Sequence, residues 1–482
     1  MTKEVNIVWL KRDLRLNDHA PFHQAEQEEL DYIILYCFEP KLIEHPDTSE
    51  RHLQFIYHSL QEMNSKLREV NRSISICYTS AKEGFKHIHK EYKINTVFSY
   101  QESGTQITWE RDKSCAHWFK THNIRWIEFQ RDGILRGIKT REKWDKAWLS
   151  VMHQAVIKNG FTFSKLPALE HPYSLPPHFK EQLSSYPTSF QKPGEDQAWK
   201  YLASFCKERG KNYNKHISKP AESRRSCARI SPYLAWGNIS IRQAYQYVKA
   251  HPNYTKYKRP FNGMLTRLHW HCHFIQKFEV ECSYETECIN RGYEELTYSN
   301  NEDLLEKWKT GNTGIPIVDA CMRCLTHTGW INFRMRAMLV SILCLHFDVS
   351  WKKGAYHLAQ LFLDYEPGIH YPQIQMQAGT TGVNTVRLYN PVKQSKDHDP
   401  KGEFIKKWIP ELREVPVEFI HEPWKMTVFE LADFKEEFTY PMLEMDLEKV
   451  ARKAREKIWG HRKHPKVKEE ARRILATHVR QA

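Results

Sequence analysis

The 482-residue sequence has no run of about twenty apolar residues, so no segment is expected to span a bilayer. Its first residues, Met1-Thr2-Lys3-Glu4, lack the charged-then-apolar pattern of a secretory leader. The 11 cysteines are odd in number and scattered, which argues against a disulfide scaffold and for a reduced, cytoplasmic protein. No G-x-G-x-x-G follows the first apolar run, so a dinucleotide-binding turn is not supported there. Internal repeats and low-complexity tracts are also missing. A disordered chain is excluded, because 40 % of the residues are hydrophobic and 13 % aromatic.

What is abundant is positive charge. Lys and Arg number 72 against 58 Asp and Glu, a formal +14 that favours an anionic partner, nucleic acid before a membrane surface. The segment 446–482 carries 12 Lys/Arg and 5 Asp/Glu, half of that excess. It reads as a basic helical tail with a solvated face.

Short apolar runs at 6–10, 32–38, 74–78, 96–100 and 124–129 alternate with helical patterns such as Leu53, Ile56, Leu60 and Leu67. Strands alternating with helices imply a parallel sheet covered on its faces. Six prolines between 167 and 193 (Pro167, Pro172, Pro176, Pro177, Pro187, Pro193) mark a connection. From about Glu195 the pattern is helical. The expected fold is an α/β domain over 1–131, a linker over 132–194, a large all-α domain over 195–445 and the tail over 446–482.

Three stretches carry more than class. They are Val8-Trp9-Leu10-Lys11-Arg12-Asp13-Leu14-Arg15-Leu16-Asn17-Asp18, then Trp308-Lys309-Thr310-Gly311-Asn312-Thr313-Gly314-Ile315-Pro316-Ile317-Val318-Asp319-Ala320-Cys321-Met322-Arg323, then Tyr389-Asn390-Pro391-Val392 followed by Phe404–Leu412. In order and spacing they resemble the photolyase/cryptochrome family over nearly the whole chain. The resemblance implies an N-terminal domain able to hold an antenna chromophore and a C-terminal helical domain that buries FAD non-covalently. In repair members, reduced flavin passes a light-excited electron to a pyrimidine dimer flipped out of DNA.

The family register implies a set of flavin contacts. Tyr213 and the turn Cys227-Ala228-Arg229-Ile230-Ser231 match its phosphate-binding segment, with Cys227 and Ala228 replacing the usual hydroxyl side chains. On a helix over 264–280, Leu265, Leu268, Cys272 and Ile275 form one stripe and Arg267, Trp270, His271 and Phe274 another. The second stripe is expected to face flavin and lesion, with Trp270 stacking on the dimer. Arg267 replaces a usual Glu and His271 a usual Arg. Arg334 and Arg336 follow, and Arg336 is expected to pair with Asp364 beside the flavin. Asp364-Tyr365-Glu366 resembles the family Asp-x-Asp, and His370 occupies the position facing flavin N5. A neutral His370 is expected to donate there and to change charge near pH 7. Trp270, Arg267 and His370 are the expected catalytic residues.

Other readings bear on metal, lesion and relay. His269, Cys272 and His273 share a helix, and Cys321-x-x-Cys324 stands alone, so no metal site is expected. No cysteine follows Cys344, which argues against the iron–sulfur branch. Asp319 and Arg323, four apart, are expected to pair. Asn332 and Phe333 stand where (6-4)-photoproduct enzymes carry His-His, which disfavours that lesion. The usual three-tryptophan relay reads Ile374, Trp351 and Tyr298, interrupted at its first step. Trp330, Tyr365, Tyr371 and Tyr389 are candidates for a bypass. Glu102 is a weak pointer to an antenna of unknown identity.

The expected activity is blue-light-driven repair of cyclobutane pyrimidine dimers by a monomer acting on DNA. The alternative is a cryptochrome-like receptor without repair, favoured by Arg267, Phe333 and Met376. A third reading is a flavin-bearing nucleic-acid binder without photochemistry. Retained Trp270, the basic balance and the expected lack of a long C-terminal signalling extension favour repair.

Overall fold

The computed structural model describes residues 3–28, 30–162, 169–432 and 438–478. Pro167 and the last four residues of the basic tail lie outside the described residues.

Five strands, β1 (Glu4–Trp9), β2 (Tyr32–Phe38), β3 (Ile74–Tyr78), β4 (Lys93–Tyr100) and β5 (Arg125–Phe129), form one sheet in the order β3-β2-β1-β4-β5. Every pairing is parallel. Each apolar run falls on a strand. β4 starts three residues before its run because Lys93 and Ile94 pair with Glu4 and Val5 of β1. All seven residues of β2 are buried, as a strand covered on both faces requires.

Alternation along the strands divides the packing. Val5, Ile7 and Trp9 join Phe85, Cys115 and Phe119 on one face. Val8, Ile34 and Tyr36 join Phe55, Leu60 and Met63 of the Glu50–Arg68 helix on the other. That second core is continuous with Tyr213, Ile230, Trp236, Leu265 and Leu268 of the helical half. Each large side chain buried there contributes roughly 1.5–3 kcal/mol, so the sheet and the helices are welded through one apolar layer.

The Val8–Asp18 motif fastens this junction. Arg12 donates to the carbonyls of Ala235 (3.1 Å) and Tyr365, and its guanidinium stacks on Trp236 at 4.3 Å. Arg15 donates to the Gly237 carbonyl (3.1 Å), and Asp18 accepts from Ser240 (2.6 Å) and Arg242. Gly237 has φ +75°, and a Cβ there would lie 2.3 Å from the Arg12 carbonyl oxygen. Glycine therefore permits both the turn and the close approach.

The 132–194 segment contains two helices, Trp144–His153 and Pro177–Ser184, with Trp144 and Trp148 buried. In the second motif the buried Asp319 carboxylate accepts from Thr313 N (2.9 Å), Thr313 Oγ1 (2.6 Å), Gly314 N (3.1 Å) and Tyr440 (2.5 Å). The expected Asp319–Arg323 pair does not form. Arg323 instead grips Glu411 at 2.8 and 2.9 Å, because the Asp319 carboxylate is occupied by the Thr313–Gly314 turn ahead of its helix and by Tyr440. The basic tail is two helices, Leu447–His461 and Pro465–His478, docked through buried Ile458, Val467 and Ile474, with Arg473 on Glu281 (2.5 Å). No helix among the described residues is long and apolar enough to cross a membrane.

Candidate functional site

Four stretches of the helical half converge on one cavity of about 310 Å³. The first holds Tyr213 and the Cys227–Ser231 turn, between the Pro220–Ser226 helix and the five-residue Ser231–Ala235 helix. Arg229 adopts φ +58°, which bends the turn, and stacks on Trp330 at 4.0 Å. Burial lowers its guanidinium pKa to about 10, so it stays charged at neutral pH. The Ser231–Ala235 helix is too short for a strong macrodipole. Anion affinity here falls to Arg229 and the backbone N–H groups. Burial pushes the Cys227 thiol up to about 12, which keeps it protonated.

The second stretch is the Lys258–Val280 helix, on which Leu265, Leu268, Cys272 and Ile275 are buried. Its other stripe, Arg267, Trp270, His271 and Phe274, lines the cavity as the helical spacing requires. Trp270 is 43 % exposed, so it stands at the opening. The Arg267 guanidinium lies 5.2 Å from the Trp270 ring and 5.6 Å from Phe333. Outside the stripe, His269 engages Asp145 (2.7 Å) and Arg141 donates to His273 (2.8 Å).

Trp330–Phe333 and the Phe333–Ser341 helix supply the third wall. Arg336 lines it and makes two hydrogen bonds to Asp364, at 2.9 and 2.8 Å. Arg334, expected to line the site with it, does not. Two residues along a helix turn a side chain about 200°, away from the face that Arg336 presents.

The fourth wall runs from Asp364 into the Pro367–Ala378 helix. The three side chains of Asp364-Tyr365-Glu366 part company. Asp364 takes Arg336, Tyr365 donates to Asp47 Oδ2 (2.6 Å), and Glu366 accepts from Arg131 (3.3 Å). His370 donates Nε2–H to the Ala355 carbonyl (2.8 Å), and burial lowers its pKa to about 4. Two expectations are corrected here. The ring is neutral across pH 7, and its one N–H is already used, leaving Nδ1 as an acceptor.

Several buried polar atoms of the lining have no partner: Arg229 Nε, His271 Nε2, Asn332 Oδ1, Gln373 Oε1 and both side-chain polar atoms of Gln377. Buried polar groups are rarely left unpaired, so the cavity is built for a ligand rich in donors and acceptors. Arg229, Arg267 and Arg336 outnumber Asp364 and Glu366, which suits a phosphate-bearing one. Gln373 and Gln377 were not singled out from the sequence, although their spacing of three and seven from His370 is the signal for one helix face.

Of the relay positions, Ile374 lines the cavity. Trp351 is buried with Nε1 on Cys288 Sγ (3.4 Å) and does not line the cavity, and Tyr298 lies under Lys457 (4.9 Å). Trp330 and Tyr365 line the cavity, whereas Tyr371 and Tyr389 do not.

A smaller cavity of about 120 Å³ opens beyond the carboxyl ends of β1, β2 and β4, where the strand order reverses. Glu102 lines it, held below the usual carboxylate range at about 2 by neighbouring Arg111, to which it is bonded at 2.6 Å. Tyr365 borders both cavities.

Residues 6–147 match the DNA photolyase domain, and residues 264–460 match the FAD binding domain of DNA photolyase. Together these stretches span well over half the chain. The sequence is 27 % identical over 477 residues to a deoxyribodipyrimidine photo-lyase of Alkalihalophilus pseudofirmus, covering 93 % of this chain and 96 % of that one. It is 26 % identical over 451 residues to a cryptochrome DASH of Synechocystis sp., covering 88 % and 91 %. The fold superposes on a bacterial class III photolyase from Agrobacterium tumefaciens with a TM-score of 0.84, at 21 % identity and 96 % and 99 % coverage.

Proposed function

The chain belongs to the photolyase/cryptochrome family and carries its FAD-binding domain, and on that premise we propose that it repairs cyclobutane pyrimidine dimers in DNA under blue light. The observation that carries this reading is the half-exposed Trp270, braced by Arg267, at the opening of the polar-lined cavity. An indole so placed offers a stacking surface to a base that has left the duplex.

In this reading Tyr213, Cys227, Ala228, Arg229, Ile230 and Ser231 cradle the FAD phosphates. Trp270, His271, Phe274, Arg336, Asp364, Tyr365, Glu366 and His370 enclose the rest, and Arg334 drops out of the set. When bound and reduced, FAD supplies the light-excited electron that opens the dimer. Arg267 donates to a dimer carbonyl or an adjacent phosphate, where its fixed charge favours an electron-rich lesion. Neutral His370 keeps an uncharged acceptor in the wall. The net charge of +14 supplies the sequence-independent share of DNA affinity. The four-part division at 131, 194 and 445, a monomeric state, a cytoplasmic location and an antenna chromophore near Glu102 complete the reading.

A second reading, a cryptochrome-like receptor without repair, is favoured by Arg267 and Phe333, which stand in the cavity wall where repair members keep other side chains. Illumination of the chemically reduced flavoprotein with dimer-bearing DNA separates the two. Restored thymines support repair, and dimers left intact by a photoactive, flavin-loaded protein support the receptor.

A further inference from the structure

The usual relay to the flavin is broken at Ile374, which lines the large cavity and has no accessible redox chemistry. The oxidisable aromatics among the described lining residues are Tyr213, Trp270, Trp330 and Tyr365. Three of them stand beside guanidinium groups. Arg229 lies 4.0 Å and Arg224 5.8 Å from the Trp330 ring, and Arg267 lies 5.2 Å from Trp270. The Arg267 charge also acts on the Tyr213 phenol. A cation so close opposes a second positive charge on the ring, the form a tryptophan takes when it loses an electron.

Tyr365 is placed differently. Its buried phenol donates to Asp47 Oδ2 at 2.6 Å, across 318 residues of sequence. The other carboxylate oxygen is bonded by His45 Nδ1 (2.7 Å) and Thr48 Oγ1 (3.2 Å), and His45 Nε2 reaches Glu285 Oε1 at 3.2 Å. Between two carboxylates His45 is held charged, its pKa raised to about 10, and it in turn helps keep Asp47 ionised. His45 is partly exposed, so the chain Tyr365–Asp47–His45 runs from the cavity wall toward solvent. Tyr371 Oη lies 3.3 Å from Tyr365 Oη and adds a second phenol to the network.

We propose that Tyr365 is the electron donor that photoreduces the bound flavin and that Asp47 takes the phenol proton in the same event. The proposal rests on the flavin photochemistry of the preceding reading. An oxidised phenol sheds its proton, and a carboxylate already hydrogen-bonded to it receives that proton without any heavy atom moving. Tyr365 would give up one electron to light-excited oxidised flavin as its O–H bond breaks and an O–H bond forms on Asp47 Oδ2, leaving a neutral phenoxyl radical on the chain. A thiol reductant in the medium returns a hydrogen atom to Tyr365. Asp47 releases its proton to water past His45. The balance is one electron on the flavin, one thiyl radical and one proton in solution.

The test is flash photolysis of the flavin-loaded, oxidised protein with dithiothreitol and without DNA, in H2O and D2O, with electron paramagnetic resonance of illuminated frozen samples. The wild type is expected to show a tyrosyl signal and slower flavin reduction in D2O. Tyr365→Phe loses the signal and the fast phase at normal flavin stoichiometry. Asp47→Asn, which keeps the packing, slows the phase by about a hundredfold and abolishes the isotope effect. Trp351→Phe, outside the cavity lining, leaves all three readouts unchanged. An unaltered fast phase in Tyr365→Phe, its loss in Trp351→Phe alone, or no photoreduction in the wild type overturns the proposal. Repair by chemically reduced wild-type protein is scored separately, so failure here leaves the repair reading standing.

Discussion

Arg336 and Asp364 form a two-pronged pair on the cavity wall, Nη1 to Oδ1 at 2.9 Å and Nη2 to Oδ2 at 2.8 Å. The two residues come from different walls, so the pair fixes the cavity's width as well as its charge. The Arg336 guanidinium also stacks on Phe362 at 4.0 Å, which limits its freedom to find another partner.

Asp364→Ala should therefore lower flavin occupancy. Removing one member of a buried pair costs roughly 3–5 kcal/mol, and the Arg336 side chain is 25 % exposed, which points to the lower end. Titration of apoprotein with FAD, followed by quenching of flavin fluorescence, is expected to show a loss of about a hundredfold in affinity. Asp364→Asn, which keeps one hydrogen bond, should lose less.

Arg267→Ala should weaken binding of a dimer-bearing oligonucleotide without changing flavin content. Loss of a charge-assisted hydrogen bond is worth about 2 kcal/mol, or roughly thirtyfold. If Arg267 meets a phosphate, the variant's affinity also falls less steeply with salt. Filter binding over a range of KCl concentrations checks both.

Burial holds the pKa of His370 at about 4, against 6.5 unperturbed. Between these values the unfolded chain binds the extra proton. His370 therefore gives its full contribution to stability above about pH 6.5 and loses it as pH falls toward 4. Buried Asp319 and Asp399, raised to about 6, oppose this over part of the window. The single-site comparison is thus the test. Urea unfolding of His370→Asn should show an acid loss smaller than the wild type's by up to about 3 kcal/mol. The flavin spectrum should not titrate between pH 6 and about 9, as it would with an ordinary histidine beside the ring.

Gly237→Ala should loosen the junction of sheet and helices. A Cβ at φ +75° and 2.3 Å from the Arg12 carbonyl oxygen forces the backbones apart. A cost of about 2 kcal/mol or more is expected, read as a lower thermal midpoint.

Period-two and period-3.6 patterns carried most of the fold, because burial rewards them locally. The runs at 32–38 and 74–78 are the strands β2 and β3 themselves, and the Arg267/Trp270/His271/Phe274 stripe lines the cavity as its spacing requires. What local pattern could not reveal are partners distant in sequence. Nothing near Tyr365 announces Asp47, and nothing near Arg323 announces Glu411. Arg334 and Arg336 look alike in sequence, yet only Arg336 lines the cavity. The charge state of His370 depends on its burial and on the Ala355 carbonyl, neither of which composition encodes. The basic tail read as a solvated face because its charges hide three buried anchors, Ile458, Val467 and Ile474.

The most direct test is illumination of chemically reduced protein with matched duplexes, one bearing a cyclobutane thymine dimer and one a (6-4) photoproduct, followed by chromatography of the digested DNA. The account predicts light-dependent recovery of thymines from the cyclobutane dimer, none from the (6-4) product, and loss of the recovery in Trp270→Ala. Intact cyclobutane dimers after exhaustive illumination of a flavin-loaded sample would contradict it.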